Sequence, residues 1–174
     1  MNLSDVVYQP QVQRFVLLDV ETTGLEDDAT LLELAMFRMR YRGSWQVEEV
    51  LHRVYAFIEV PGKPVYEAHH HNGLLAECYL MLNSVYPSRA EVEKFVPEGA
   101  IACGRNVHFD LKALDRQWPG ISRRFSHRHL DLASFTLVQP KGDRPASTHR
   151  ALHDCLLELA ELQAIVPRED LWMK

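Results

Sequence analysis

The stretch FVLLDVETTG, residues 15–24, runs four apolar residues straight into Asp19 and Glu21. Its apolar part is short and is closed by Thr-Thr-Gly, the pattern of a strand buried on both faces. Side chains alternate along a strand, so Asp19 and Glu21 project to the same side at its carboxyl end. Two like charges this close raise each other's pKa unless a cation joins them. The pair therefore calls for a compensating partner.

The surrounding chain is ordinary. It has 174 residues, 47% of them hydrophobic and 25% charged. That length and composition predict one globular domain over residues 1–174, with residues 1–13 as a polar arm. No apolar run approaches the length of a membrane span. The first residues lack a basic start followed by a long apolar stretch, so no secretory signal is expected. Cys78, Cys103 and Cys155 are odd in number and far apart. They form neither a zinc pattern nor a disulfide framework, which points to a reducing, cytoplasmic setting. The formal net charge is −5. Proteins that grip long nucleic acid carry a basic excess. Either nucleic acid is not the ligand, or only short pieces are handled, with metal ions supplying positive charge.

Periodicity sets the other elements. LLELAMFRMRYR, residues 31–42, fits a strand or a helix, alternating from Met36 onward. Gly43-Ser44 is a turn, and WQVEEVLHRVYAFIEV, residues 45–60, is its partner strand, giving a three-strand meander. YEAHHHNGLLAECYLMLN, residues 66–83, has helical spacing interrupted at Asn72-Gly73. SRAEVEKFV starts at Ser88 with Glu91 three residues on, a capping box. AIACGRN is a fourth strand, and HFDLKALDRQW a helix closed by Pro119-Gly120. HLDLASFTLV fits strand or helix. THRALHDCLLELAELQAIV is a helix with Leu152, Cys155, Leu156, Leu159 and Leu162 as its apolar stripe. KGDRPAS, residues 141–147, is a loop. Strands followed by mixed elements imply an α/β layer around a mixed sheet.

Two later segments bring further ligands. GRNVHFD places Asp110 just after the fourth strand, and HRALHD places His149 and Asp154 near the start of the final helix. Ligands gather at strand ends in α/β proteins. Four carboxylates specify hard cations, Mg²⁺ or Mn²⁺. Two such ions about 3.5–4 Å apart clamp the attacking and leaving oxygens of a phosphodiester. An imidazole beside them can take the proton of the attacking water. Taken singly, each residue has an ordinary explanation: a solvated turn, a first-turn helix acid, a surface histidine.

The ordered triplet DVETTG, NVHFD and HRALHD resembles the motifs of the DEDDh family of 3′–5′ exonucleases. His149, five residues before Asp154, matches the His subclass. The resemblance implies a ribonuclease-H-like α/β fold, a mixed five-stranded sheet flanked by helices. It also implies two divalent cations per site and release of 5′-mononucleotides. Within the family, IACGRNVHFD, FSHRHLDLASF and STHRALHD are similar to oligoribonuclease, which implies a homodimer acting on short RNA. By position, Asp19, Glu21, Asp110 and Asp154 would hold the metals, and His149 would be the base. Thr22 would bind substrate, and Leu25 would wedge against a terminal base. Asn106 would lie near the phosphate end, and Arg128 would reach the neighbouring subunit's site.

The match has departures. Oligoribonucleases have Asp-Leu-Glu-Met-Thr-Gly where this chain has DVETTG, the form found in proofreading exonucleases. Asn106 replaces a Ser, His127 a Tyr and Ala133 a Ser. A proofreading-type enzyme acting on single-stranded DNA ends is the alternative reading.

The adjacent histidines 69–71 point about 100° apart on a helix and cannot converge on one ion. His69 is the expected substrate contact among them. The basic run RRFSHRH, residues 123–129, fits a solvated loop or a phosphate contact equally. Asp131 matches no motif position, and Trp45, Trp118 and Trp172 are expected to pack.

Overall fold

The computed structural model describes residues 13–59, 63, 65–83, 88–135, 137 and 146–165. Nearly all of the polar arm, the start of the 141–147 loop and Trp172 lie outside the described residues.

Strand β1 (Arg14–Thr22) sits at the centre of a five-stranded sheet of order β3-β2-β1-β4-β5. Its neighbours are β2 (Leu31–Tyr41), antiparallel, and β4 (Ala100–Gly104), parallel. Strand β3 (Trp45–Val54) pairs with β2, and β5 (Phe125–Asp131) pairs in parallel with β4. The expected mixed five-stranded sheet and its opening meander are therefore present. The ambiguous LLELAMFRMRYR is strand throughout.

β1 is apolar without alternation because both of its faces are covered. On one face Val16, Leu18 and Val20 pack with Leu34 and Met36 against helices α3 (Arg89–Phe95) and α4 (Val107–Gln117). On the other, Phe15 and Leu17 pack with Ala35, Phe37 and Met39 against helix α6 (Ala151–Ile165). Asp19 and Glu21 follow Leu17 in alternation and so lie on the α6 side.

Short helices α1 (Glu67–His71) and α2 (Leu74–Leu80) join β3 to α3. Gly73, at φ 82°, makes the break between them. The capping box forms at Ser88 and Glu91, as the spacing predicts. HLDLASF splits: β5 runs to Asp131 and helix α5 (Leu132–Phe135) follows.

Two expectations are corrected. The third strand stops at Val54 instead of running to Val60. Tyr55 turns into the core beside Trp118, and the Phe57 amide bonds the Cys78 carbonyl, which draws the chain off the sheet onto α2. In α6, Leu156 is 50% exposed. The buried face holds Asp154 and Glu158 together with Ala151, Cys155 and Leu162. The three cysteines are free and buried. Trp45 packs edge-on against Phe15 and donates to the Leu162 carbonyl, and Trp118 is buried, so both are packing residues. Among the described residues, no helix is long and apolar enough to cross a membrane.

Candidate active site

Asp19, Glu21 and Asp154 each offer a carboxylate oxygen, and these atoms lie within 4.8 Å of one another. β1 contributes the first two by strand alternation, and α6 supplies Asp154 from its first turn. At an effective dielectric of about 20, two unit charges 4.8 Å apart repel by roughly 3.5 kcal/mol. That exceeds the net worth of a typical hydrogen bond, ~1 kcal/mol. Protons or cations must neutralise the cluster.

Asp110 joins from α4. Its Oδ1 accepts the Val20 amide at 3.1 Å, which ties the helix start to β1 between the two β1 carboxylates. The Oδ2 atoms of Asp19 and Asp110 are buried without a hydrogen-bond partner among the described residues. Burial, and then the negative charges around it, push Asp19 well above the usual carboxylate range. Asp110 rises for the same reasons, with Glu158 its strongest charged neighbour. Glu21 is pushed up to about 8 by burial and by Asp154 and Glu33, only partly offset by Arg150. Asp154 is held from below its helix: the Ser147 hydroxyl donates to Oδ2 at 2.5 Å and the Thr148 amide to Oδ1 at 3.0 Å.

This donor set fits divalent cations. It is all oxygen, buried, crowded and short of positive charge.

His149 is exposed and lies two residues before α6, with φ at 52°. Its ring centroid is 6.3 Å from that of His69, whose Nε2 is 3.5 Å from Glu21 Oε2. His149 thus stands at the mouth of the carboxylate cluster.

The remaining predicted residues divide. Thr22 is buried, and its hydroxyl donates to the Gly24 carbonyl at 2.7 Å, shaping the turn that carries Leu25. Leu25 is 63% exposed. Asn106 is exposed in a left-handed conformation, φ 55°, directly before α4. Asp131 fixes it by accepting the Asn106 amide at 3.1 Å. His69 is fully buried, and its Nε2 lies 3.1 Å from the Thr22 carbonyl oxygen. It supports the floor of the site instead of facing solvent. Arg128 lies in a groove with Arg14, Glu98 and Ile101, at the amino-terminal end of β1 and away from the carboxylates.

Two residues escaped the sequence reading. Glu33, fully buried, is the cross-strand partner of Glu21. Glu158, 2% exposed, is four residues after Asp154, one helical turn along the same face. That spacing was a usable signal. Glu33 gave none, being one acid in an amphipathic-looking strand.

Gly104 closes the floor between β1 and β4. A Cβ there would lie 2.6 Å from the Leu18 carbonyl oxygen and 3.5 Å from Glu158 Oε2.

No protein-family model and no curated protein matches the chain. Solved structures do. The zinc-bound complex of E. coli ExoI with ssDNA superposes with a TM-score of 0.56 at 17% identity, over 89% of this chain and 40% of that one. Exonuclease I from Methylocaldum szegediense gives 0.59 at 18%, over 91% and 41%. A further exonuclease I structure gives 0.54 at 14%, over 91% and 42%. The chain spans about two-fifths of the length of these proteins, and over that span it shares their fold, the ribonuclease-H-like α/β sheet.

Proposed function

We propose that this chain is a metal-dependent 3′–5′ exonuclease of the DEDDh type, releasing 5′-mononucleotides from single-stranded ends. One observation carries the reading: Asp19 and Glu21 of β1 and Asp154 of α6 offer carboxylate oxygens within 4.8 Å of one another, Asp110 of α4 bonds the strand at Val20 between the first two, and Asp19 and Asp110 keep buried oxygens without a partner among the described residues, with His149 at the mouth.

Asp19, Glu21, Asp110 and Asp154 would hold two divalent cations, Mg²⁺ or Mn²⁺, which supply Lewis-acid stabilisation to the phosphodiester oxygens. A ring nitrogen of His149 accepts the proton of the attacking water. The phosphorus–oxygen bond to the 3′-oxygen then breaks. Leu25 wedges against the terminal base, with Thr22 holding its turn. Asn106 lies towards the phosphate end.

Short RNA is the proposed substrate, in a homodimeric enzyme, on the likeness of the later motifs to oligoribonuclease. The net charge of −5 supports a short ligand with few phosphates. Single-stranded DNA is the second reading. DVETTG supports it, and so do the structural neighbours, one of them described in complex with ssDNA.

The test is hydrolysis of end-labelled RNA and DNA, from dimers to long strands, with Mg²⁺. Preference for RNA dimers supports the first reading, and indifference to sugar and length supports the second. Absence of cleavage in every arm overturns both.

A further inference from the structure

His149 adopts a left-handed backbone, φ 52°, that a non-glycine residue keeps only when its surroundings impose it. It precedes α6, so helical hydrogen bonds do not fix it. The Ser147 hydroxyl oxygen accepts the His149 amide at 3.1 Å, and side chains from two other elements hold the flanking backbone.

From the α1–α2 junction, Asn72 Nδ2 donates to the His149 carbonyl at 2.6 Å and to the Thr148 carbonyl at 3.2 Å. Its Oδ1 accepts the Leu74 amide at 3.0 Å, so the amide cannot turn away. From β2, Glu33 Oε2 accepts Arg150 Nε at 3.1 Å and the Ala151 amide at 3.0 Å. Arg150 Nη2 reaches Glu77 Oε2 at 2.7 Å on the far side. His52 Nε2 stands 2.6 Å from Glu33 Oε1 and completes the cradle. The backbone on both sides of His149 is thereby anchored to the sheet and to α2. A buried glutamate beside Glu21 would be a liability at this point unless its contacts were needed.

We propose that Glu33 and Asn72 are positioning residues that hold His149 in its left-handed conformation at the mouth of the site. The role deepens the exonuclease reading and rests on it. Both act through the backbone of residues 148–151, and neither touches substrate.

The test uses Glu33→Gln and Asn72→Ala in the full chain, each alone and combined with His149→Ala. Steady-state kinetics with Mg²⁺ and an end-labelled oligonucleotide should show kcat reduced about 10–100-fold and KM within about 3-fold. In the His149→Ala background each change should cost less than about 3-fold, because its effect passes through the missing imidazole. Amide hydrogen exchange at residues 147–151 of the metal-free protein should accelerate at least about 10-fold. Equal losses with and without His149, or unchanged exchange, would overturn the proposal. If Glu33→Gln does not fold, the half-buried Asn72→Ala decides. If the wild type cleaves neither RNA nor DNA, the exonuclease reading falls, and the exchange measurement alone decides whether the clamp exists.

Discussion

Glu21 and Glu33 are direct cross-strand partners on β1 and β2, yet they hold their protons in opposite senses. Burial would raise Glu33, but hydrogen bonds from His52, Arg150 and the Ala151 amide outweigh it and leave its pKa lowered. Among the described residues Glu21 has no comparable donors, and it is pushed up to about 8. One glutamate is compensated by the protein, and the other is not.

Metal-free stability should therefore fall with rising pH. Glu21 binds its proton more tightly folded than unfolded, from 4.5 up to about 8. Its contribution is full below pH 4.5 and is lost as pH climbs through about 8. Asp19 and Asp110 act in the same direction. Glu33 has the reverse sign, but its loss falls at acid pH, below this window. Thermal melts in chelator should show Tm declining from pH 7 to 8.5, above the range in which the lowered His69 and His129 act in the opposite direction, with added Mn²⁺ restoring most at the alkaline end. A Tm flat across that range in chelator would contradict the crowded-carboxylate picture.

Asp110→Asn should separate activity from stability. The amide oxygen can still accept the Val20 amide, while the repulsion from Glu158 disappears. Hydrolysis should drop by at least about 10³-fold. The chelated protein should melt about 2–8 °C higher at pH 8, for a gain of about 1–2 kcal/mol.

His149→Ala should cost about 10²–10⁴-fold in kcat, the usual worth of a general base. Mn²⁺ affinity measured by calorimetry should stay within about 3-fold, since the four carboxylates remain. Full activity in this variant at neutral pH would remove the imidazole from the mechanism.

Gly104→Ala should damage the fold at the floor of the site. The added methyl meets the Leu18 carbonyl oxygen at 2.6 Å, and the backbone sits at φ 154°. A loss of about 1–3 kcal/mol is expected in chemical denaturation.

The sheet was legible because β1 and β4 are short apolar runs with clear stops, and because Gly43-Ser44 marks the meander turn. The end of β3 was not, since Tyr55 and Phe57 continue a strand-like pattern while tertiary contacts pull them elsewhere. Asp19, Glu21 and Asp154 could be brought together on paper by alternation and motif order, and the structure gathers them. Glu33 could not be found that way. Its role depends on facing Glu21 and on receiving Arg150 from 117 residues further along the chain. His69 misled because its position in a run of exposed-looking histidines hides complete burial.

Electron paramagnetic resonance of Mn²⁺ titrated into the protein tests the central claim most directly. Two ions per chain, spin-coupled through their closeness and both weakened by Asp19→Ala, are expected. Absence of tight Mn²⁺ binding, or binding that Asp19→Ala leaves untouched, would contradict the account.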